Sequence, residues 1–216
     1  MSGDVKRRAY RSQRRREQAG ETRERMLVAA ATLFEGRGYD GASIAAIAAE
    51  AGVAEETVYA HFRNKRTLLG ELVRRGVRGG DPRPVLEQQG HRAVAAATDQ
   101  REQLRLFAAD VVVRLERAAP IVAIVSGASR SEPELAEVLA RLHAERLKNL
   151  RALVVALAAN GPLRLREGEA VEAVWALTSP ELHQLLVRVR GWTRRRYCDW
   201  LADSLARLLL QADGEA

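Results

Sequence analysis

The amino-acid sequence predicts an all-α protein. Apolar residues recur three and four positions apart along most of the 216 residues, alanine is abundant, and only 5% of the residues are aromatic. The run that most resembles a β-strand covers residues 121–125, and a single strand has no neighbour with which to form a hydrogen-bonded ladder. We therefore predict that this run belongs to a buried helix and that the chain is helical throughout.

The N-terminal third of the sequence carries clear helix boundaries. Ser43 is a suitable N-cap for a short helix that ends at Gly52, and Asn64 is a suitable N-cap for a longer helix that frays at Gly79. An apolar stripe indicates one more helix before Ser43. The predicted helices are residues 21–38, 44–51 and 54–62, and a fourth that begins after Asn64.

Proline residues indicate two further boundaries. Asp81 followed by Pro82 is typical of an N-cap and a first-turn proline, so a helix is expected to begin there. Pro120 is expected to end or kink a helix that covers residues 99–118, because proline lacks the N–H that a helix interior requires.

Capping patterns define the helices that follow. The segment from Ser131 to Glu134 and the pair Thr178 and Glu181 both match the capping box, in which a hydroxyl and a carboxylate satisfy the first backbone amides. Thr193 is expected to cap a final helix that ends near residue 210.

Composition and charge exclude several classes of protein. With 47% hydrophobic and 29% charged residues, the chain resembles soluble globular proteins, and no apolar stretch reaches the roughly 18 residues that cross a bilayer. The single cysteine, Cys198, excludes an intramolecular disulfide and a multi-cysteine zinc site, and its helical pattern suggests a packed thiol. We expect a cytoplasmic protein with no membrane partner.

Basic residues are concentrated at the N-terminus. The net charge is +7, and residues 1–20 contain seven basic and two acidic residues, which account for +5 of it. We predict that this segment is a flexible arm. Such arms often lie along phosphates or in the minor groove of DNA, and the alternative is a solvated leader without a partner.

The most informative segment is residues 44–63, where two short helices are joined by Ala51-Gly52-Val53. Ala48 stands where the helices must approach closely, and Val53 and Val58 contribute to a small core between them. This spacing is typical of a helix-turn-helix, in which the second helix enters the major groove of DNA. Many helical hairpins share the pattern, so further residues are needed to make it specific.

Those residues follow directly. The nine residues from Thr57 to Lys65, TVYAHFRNK, strongly resemble the recognition helix and following turn of the TetR family of bacterial repressors. Upstream matches at the same spacing are Leu33-Phe34, Gly38-Tyr39, Ser43-Ile44, Ile47-Ala48 and Ala51-Gly52-Val53. The resemblance implies a three-helix DNA-binding domain over residues 21–76, joined to a larger helical ligand-binding and dimerisation domain over residues 77–216.

The resemblance also implies residues that contact DNA. They are Ser43, Thr57, Tyr59, His61 and Lys65. A hydroxyl, a phenol, an imidazole or an ammonium there can reach phosphates or base edges, whereas the alternative is packing for Tyr59 and His61 and simple capping for Ser43. Glu55 departs from the family pattern and would repel phosphate, but a carboxylate can accept from a cytosine amino group, so Glu55 is a candidate base reader.

By resemblance, the protein forms a homodimer that binds a palindromic double-stranded operator. The last helices, from about residue 167 to residue 210, are expected to pair with their mates in a four-helix bundle. The candidate interface residues are Leu182, Leu185, Leu186, Leu201, Leu205 and Leu208, although an intramolecular core must use some of them.

An effector is expected within the C-terminal domain. Candidate lining residues from the middle helices are Phe107, Val111, His143, Leu147 and Trp175, each of which could instead simply fill the core. Because this set is mostly apolar, we expect a small apolar ligand that is neutral or weakly anionic. The four histidines are scattered without metal-ligand spacing and no catalytic set is visible, so we expect no metal, no cofactor and no enzymatic activity.

The sequence thus favours a DNA-binding transcriptional regulator, most simply a repressor that a small apolar ligand releases from its operator. The alternative is a constitutive or architectural DNA-binding dimer whose C-terminal domain only dimerises. About 140 residues follow the DNA-binding domain, which is more than dimerisation requires and favours a sensor.

Overall fold

The chain folds into helices connected by short turns. The computed structural model describes residues 2–211, with the side chains of Arg14 and residues 17–211. Over this range the only strand-like pairing is an isolated β-bridge between Leu163 and Leu210, so the prediction of an all-α protein is confirmed. The chain divides into two compact units between Leu72 and Val73, near the boundary predicted after residue 76.

The N-terminal unit contains the first helices. These are α1 (Ser2–Gly41), α2 (Ile44–Ala51) and α3 (Glu55–Phe62), followed by α4 (Lys65–Arg78), which continues into the second unit. Gly38 kinks α1 near its end, at the residue where the sequence predicted the helix to stop. Its φ of 69° lies in the left-handed region that favours glycine.

Local side-chain caps set these boundaries as predicted. The Ser43 hydroxyl oxygen accepts a hydrogen bond from the Ala46 amide at 3.1 Å, and the Asn64 side-chain oxygen accepts from the Thr67 amide at 2.8 Å. Gly52 ends α2 with a φ of 65°, and its own amide bonds back to the carbonyls of α2. Ala54 precedes α3 without any side-chain cap.

The basic N-terminal segment is helical from Ser2, where α1 begins. The predicted flexibility of residues 1–20 stays a prediction. Arginine, glutamine, alanine and glutamate are strong helix formers, and no proline interrupts them before residue 41, so the helix extends through this segment. Most of its arginine side chains lie outside the described residues, so DNA contact by this segment stays a prediction.

The C-terminal unit is built around one long central helix. After a 3₁₀ turn at Val85–Glu87, its helices are α5 (Gln89–Ala96), α6 (Gln100–Ala128), α7 (Pro133–Ala158), α8 (Glu167–Leu177), α9 (Pro180–Gln184) and α10 (Arg194–Leu209). A π turn, Leu185–Val189, extends α9. Helix α6 contacts α5, α7, α9 and α10, and residues 121–125 lie within it, as predicted.

One proline-based prediction is wrong and the other is wrong in part. Helix α6 does not end at Pro120, because buried apolar residues on both sides of the proline hold it in the core, and the predicted kink stays a prediction. No helix begins at Asp81. The carboxylate of Asp81 instead accepts from the backbone amide and the guanidinium of Arg83, which closes a local turn.

Both predicted capping boxes are also displaced. Ser179, not Thr178, caps α9 by accepting from the Leu182 amide at 3.1 Å, while the Thr178 hydroxyl donates to the Val174 carbonyl at the end of α8. The Ser131 hydroxyl donates to the Ala128 carbonyl, so α7 begins at Pro133 without a side-chain cap. Thr193 caps α10 as predicted, by accepting from the Arg196 amide.

The apolar core of the second unit lies between α6, α7, α8 and α10. Its largest buried members include Leu104, Leu153, Leu157, Tyr197, Leu201 and Leu205. Burying a side chain of this size contributes roughly 1.5–3 kcal/mol, so this core supplies much of the stability of the unit. Among the described residues, no helix is both long and apolar enough to cross a membrane.

Candidate DNA interface and ligand cavity

Helix α3 presents a polar face to solvent and an apolar face to the core. Val58 and Phe62 are buried, four residues apart, whereas Tyr59 is 49% exposed and Glu55 and His61 are exposed. Thr57 is half-buried. The predicted DNA-contacting residues of α3 therefore lie on or beside its solvent face, where a DNA groove has access to them.

An open groove runs beside this face. Thr57 and His61 of α3 line it together with Thr22 and Arg25 of α1. Thr22 and Arg25 were not predicted, because α1 and α3 are distant in sequence and no local pattern indicates which face of α1 lies beside α3. Arg25 is exposed and forms no ion pair with any described residue. This groove thus adds a cation to the polar surface.

Lys65 has a structural role that its position in the motif did not reveal. Its ammonium donates to the Tyr39 carbonyl at 2.8 Å and lies 4.0 Å from the centre of the Tyr39 ring. Lys65 therefore ties the start of α4 to the end of α1 through a charge-assisted hydrogen bond and a cation–π contact. An ammonium has three N–H donors, so the predicted phosphate contact remains compatible with this arrangement.

Ser43 is exposed at the N-terminus of α2, where it performs the capping predicted for it. A helix N-terminus favours negative charge because its first amides have no acceptors within the helix. This local geometry suits a phosphate, and the contact itself stays a prediction.

The C-terminal unit contains a cavity of about 140 Å³. Helices α5, α6 and α7, the last turn of α4 and the start of α9 contribute to its wall. Most of the wall is apolar, formed by Phe107, Val111, Leu115, Val122, Leu142 and Leu150. Cavities that bind small molecules have this character, a mainly apolar surface with a few polar groups.

Three of the five predicted lining residues are in this wall. Phe107, Val111 and His143 line the cavity, but Leu147 and Trp175 do not. Leu147 packs on the main core. Trp175 packs against Arg146, whose guanidinium carbon is 4.2 Å from the centre of one indole ring. Helical periodicity predicts which residues face the interior of the unit. It does not predict whether such a residue lines the cavity or packs into the core.

A partly buried ion pair that was not predicted forms part of the wall. Arg114 pairs with Asp110 through two hydrogen bonds of 2.8 and 3.0 Å, and its Nη1 donates to the Val77 carbonyl and to Gln88 Oε1. The spacing of Asp110 and Arg114, four residues apart on one helix, was the signal available for the pair. Through Val77, this arginine holds the last turn of α4 against α6.

The contact between α4 and α6 is unusually close. A Cβ atom added at Gly76 would lie 3.0 Å from the Cα of Ala118. Both Val77 and Ala118 line the cavity, so its wall includes the place where these helices touch. Any occupant that displaced α6 would therefore press on the end of α4.

Arg146 is the second arginine of the cavity that the sequence analysis missed. Its Nη2 donates to the Trp175 carbonyl and to the Thr178 hydroxyl, the latter at 2.9 Å. Burial lowers the pKa of this guanidinium to about 10, although the carboxylate of Glu181 favours the charged form. Arg146 still carries its charge at neutral pH.

The structure corrects the predicted dimer interface. Leu201 and Leu205 are fully buried within a single chain, because they point into the core between α6 and α10. They cannot also face a partner. Leu185 is 51% exposed, Leu208 is 45% exposed and Val189, which was not predicted, is 73% exposed.

Two further titratable side chains, His183 and Cys198, are buried or half-buried in the C-terminal unit. Burial lowers the pKa of His183, whose two ring nitrogens have no hydrogen-bond partner, and raises the pKa of the half-buried Cys198 thiol. In the part of the chain that the structure describes, His, Cys, Asp and Glu side chains form no group of three or more suited to a metal.

A helix-turn-helix with an exposed polar recognition face, followed by a larger helical unit with a cavity, is the architecture of a DNA-binding regulator. Comparison with known proteins agrees. The profile described as bacterial regulatory proteins, tetR family, matches residues 26–72. The chain is 30% identical over 203 residues to the HTH-type transcriptional repressor BepR of Brucella suis biovar 1 (strain 1330), covering 87% of this chain and 84% of that protein. The chain belongs to the TetR family of bacterial transcriptional regulators.

Solved structures share the fold. NalD, the secondary repressor of the MexAB-OprM multidrug efflux pump in Pseudomonas aeruginosa, superposes with a TM-score of 0.68 at 23% identity, covering 91% of this chain and 100% of that one. The regulator FadR from Bacillus subtilis, in complex with stearoyl-CoA, gives a TM-score of 0.62 at 18% identity, covering 84% and 96%.

Proposed function

We propose that this regulator is a repressor that binds a palindromic operator as a homodimer in the cytoplasm, and that a small, mainly apolar ligand in the C-terminal cavity releases it. The observation that carries this proposal is the cavity itself. Its wall includes Val77, at the end of the helix that begins directly after the recognition helix. A ligand there can alter α4 and with it the DNA-binding unit.

The DNA-binding role falls to the exposed face of α3 and its neighbours. We assign contacts with bases or phosphates to Tyr59, His61 and Thr57, which lie on or beside the exposed face of α3, and a contact with a cytosine to Glu55. Ser43 and Arg25 are suited to phosphates, and so are the free N–H donors of Lys65. Phosphate contacts position the protein, while contacts in the groove select the sequence.

Dimerisation is proposed for the apolar surface of α9, its π turn and α10. Leu185, Val189 and Leu208 expose apolar side chains there, beside the half-buried Leu182 and Leu186. One recognition helix reads too few base pairs for specificity, and two of them must be spaced to match half-sites about 34–36 Å apart. A homodimer meets that requirement.

The ligand acts by favouring one arrangement of the dimer over another. It must bind more tightly to the state that does not fit the operator, and coupling free energies of about 1–3 kcal/mol are typical of such regulators. The alternative, a constitutive DNA-binding dimer, requires that nothing entering the cavity changes DNA affinity.

The test begins by selecting an operator from random duplexes and screening small molecules for operator release. Val111→Phe, which fills the cavity, should abolish the response to an active compound while leaving DNA affinity in its absence intact. The matched control is Val113→Phe on the exposed side of the same helix, which should respond like the wild type. Equal responses of the two variants would contradict the proposal.

A further inference from the structure

We propose that the cavity binds a small organic carboxylate, with an apolar body of about six carbon atoms, and that Arg146 pairs with the carboxylate. This inference rests on the proposed role of the cavity as the effector site, and it names the chemical class of the effector.

The charges of the cavity wall favour a bound anion. Four charged residues line the cavity, and Asp110 and Arg114 neutralise each other. Glu145 pairs at 3.5 Å with Arg78, a residue that is not part of the wall. Arg146 forms no ion pair with any residue that the structure describes. Glu181 acts on Arg146 only through space, without a direct ion pair, so a bound anion can still pair with the guanidinium.

The second argument is the orientation of the Arg146 guanidinium. One face packs on the Trp175 ring, and Nη2 is held by the Trp175 carbonyl and the Thr178 hydroxyl. Over the described part of the chain, Nε and Nη1 have no hydrogen-bond acceptor. A guanidinium that is fixed in position with free N–H groups is well suited to a carboxylate, since the two groups form parallel hydrogen bonds.

A second donor lies on the same helix. Asn149, three residues after Arg146, also lines the cavity, and its side-chain amide has no hydrogen-bond partner among the described residues. An amide N–H can donate to a carboxylate oxygen that Arg146 also contacts.

Volume and surface define the rest of the ligand. A cavity of about 150 Å³ holds a benzene ring, and the cavity here is about 140 Å³. Phe107, Val111 and Leu115 supply an apolar surface for a ring or a short chain. Inorganic phosphate would leave this surface without contacts, so the anion is expected to be organic.

The binding experiment uses the full-length protein without DNA. Benzoate, cyclohexanecarboxylate and octanoate are titrated by calorimetry against their primary amides, which match them in shape but carry no charge. At least one acid should bind about tenfold more tightly than its amide. Equal affinities of acid and amide, or no binding of any acid, would overturn the proposal.

Variants assign the preference to Arg146. Arg146→Met should remove the preference for the acid while leaving the affinity of the amide unchanged. Arg146→Lys keeps the charge but loses the planar fork, so it should retain a weaker preference, and it provides the test if the methionine variant does not fold. The matched control is Arg141→Met on the exposed part of the same helix, which should bind like the wild type. A preference that survives in Arg146→Met would assign the anion to another residue and overturn the proposal.

The outcomes separate this proposal from the proposed function. If amides bind as tightly as acids and release operator DNA, the cavity is the effector site and only the carboxylate assignment fails. If acids bind through Arg146 but leave operator affinity unchanged, the ligand class is correct and ligand-induced release is not.

Discussion

The two units of this chain place their candidate functional side chains in different surroundings. In the N-terminal unit, Tyr59 and His61 lie in solvent, whereas in the C-terminal unit Arg114 and Arg146 line a partly enclosed cavity. DNA is large and brings its own charge to the surface, so its partners can remain hydrated until it binds. A small ligand must be enclosed, so its partners are held by other protein groups before it arrives.

This difference has a consequence for mutation. A side chain that waits in solvent can be removed without much effect on stability, while a side chain that is internal and hydrogen-bonded supports the fold as well as the site. The same reasoning applies to the apolar residues of α9 and α10. A substitution of a buried residue there should lower stability more than a substitution of an exposed one.

The largest effect is expected among the leucines that the sequence assigned to the dimer interface. Leu205→Asp should abolish folding or destabilise the protein by about 4 kcal/mol or more, because it buries a carboxylate in the core without a partner. Leu185→Asp should retain the fold but reduce dimerisation and operator affinity. Urea denaturation followed by circular dichroism and sedimentation equilibrium will distinguish the two. A folded, dimeric Leu185→Asp protein would contradict the proposed interface.

The next largest effect is expected at the partly buried ion pair. Arg114→Met should destabilise the protein by about 2 kcal/mol, since it leaves the Asp110 carboxylate, Gln88 Oε1 and the Val77 carbonyl without their donor. Arg105→Met provides the control on the exposed side of the same helix, and it should change stability by less than about 0.5 kcal/mol. Similar stabilities of both variants would refute an internal structural role for Arg114.

A smaller effect is expected in the DNA-binding unit, where one substitution should lower DNA affinity and another should lower stability. Tyr59→Ala should weaken operator binding by about 1–3 kcal/mol with almost no loss of stability. Lys65→Met should lower the stability by about 1 kcal/mol, since the bond to the Tyr39 carbonyl is lost. If Lys65 also contacts phosphate, the slope of log affinity against log salt should fall by about one unit. Thermal melts and fluorescence anisotropy at several salt concentrations measure both quantities.

The smallest effect concerns acid sensitivity. Burial lowers the pKa of His183, so below its unfolded value near 6.5 the unfolded chain binds a proton that the folded chain excludes. Stability should therefore decrease as the pH falls below about 6.5. The charges that act on this ring are Glu116, which favours protonation, and Arg188, which opposes it. His183→Phe should reduce the acid-induced fall in melting temperature, and an identical fall in wild type and variant would refute this cause.

The sequence predicted best what depends on neighbouring residues. The caps at Ser43, Asn64 and Thr193 and the bounds of α2 are set within a few positions, so a local pattern suffices. Helix α6 does not end at Pro120, one of the two outcomes predicted there, because packing across the core outweighs a local preference.

The cavity shows the same limit. Phe107 and Val111 are in its wall as predicted, because helical periodicity identifies inward faces. Trp175 is not, and Arg146 was missed, because their positions depend on contacts between α7 and α8 that are formed only in the folded chain. Burial of Leu201 and Leu205 likewise depends on how α10 packs on α6.

The π turn after α9 makes the chain sensitive to insertions and deletions. In this turn the Arg190 amide bonds to the Leu185 carbonyl five residues earlier, so one more residue is accommodated than in a regular α-helical turn. Removing one residue would rotate everything that follows by about 100° relative to α9. Related proteins that keep this apolar surface are therefore expected to vary in the identity of residues 185–189 more readily than in their number.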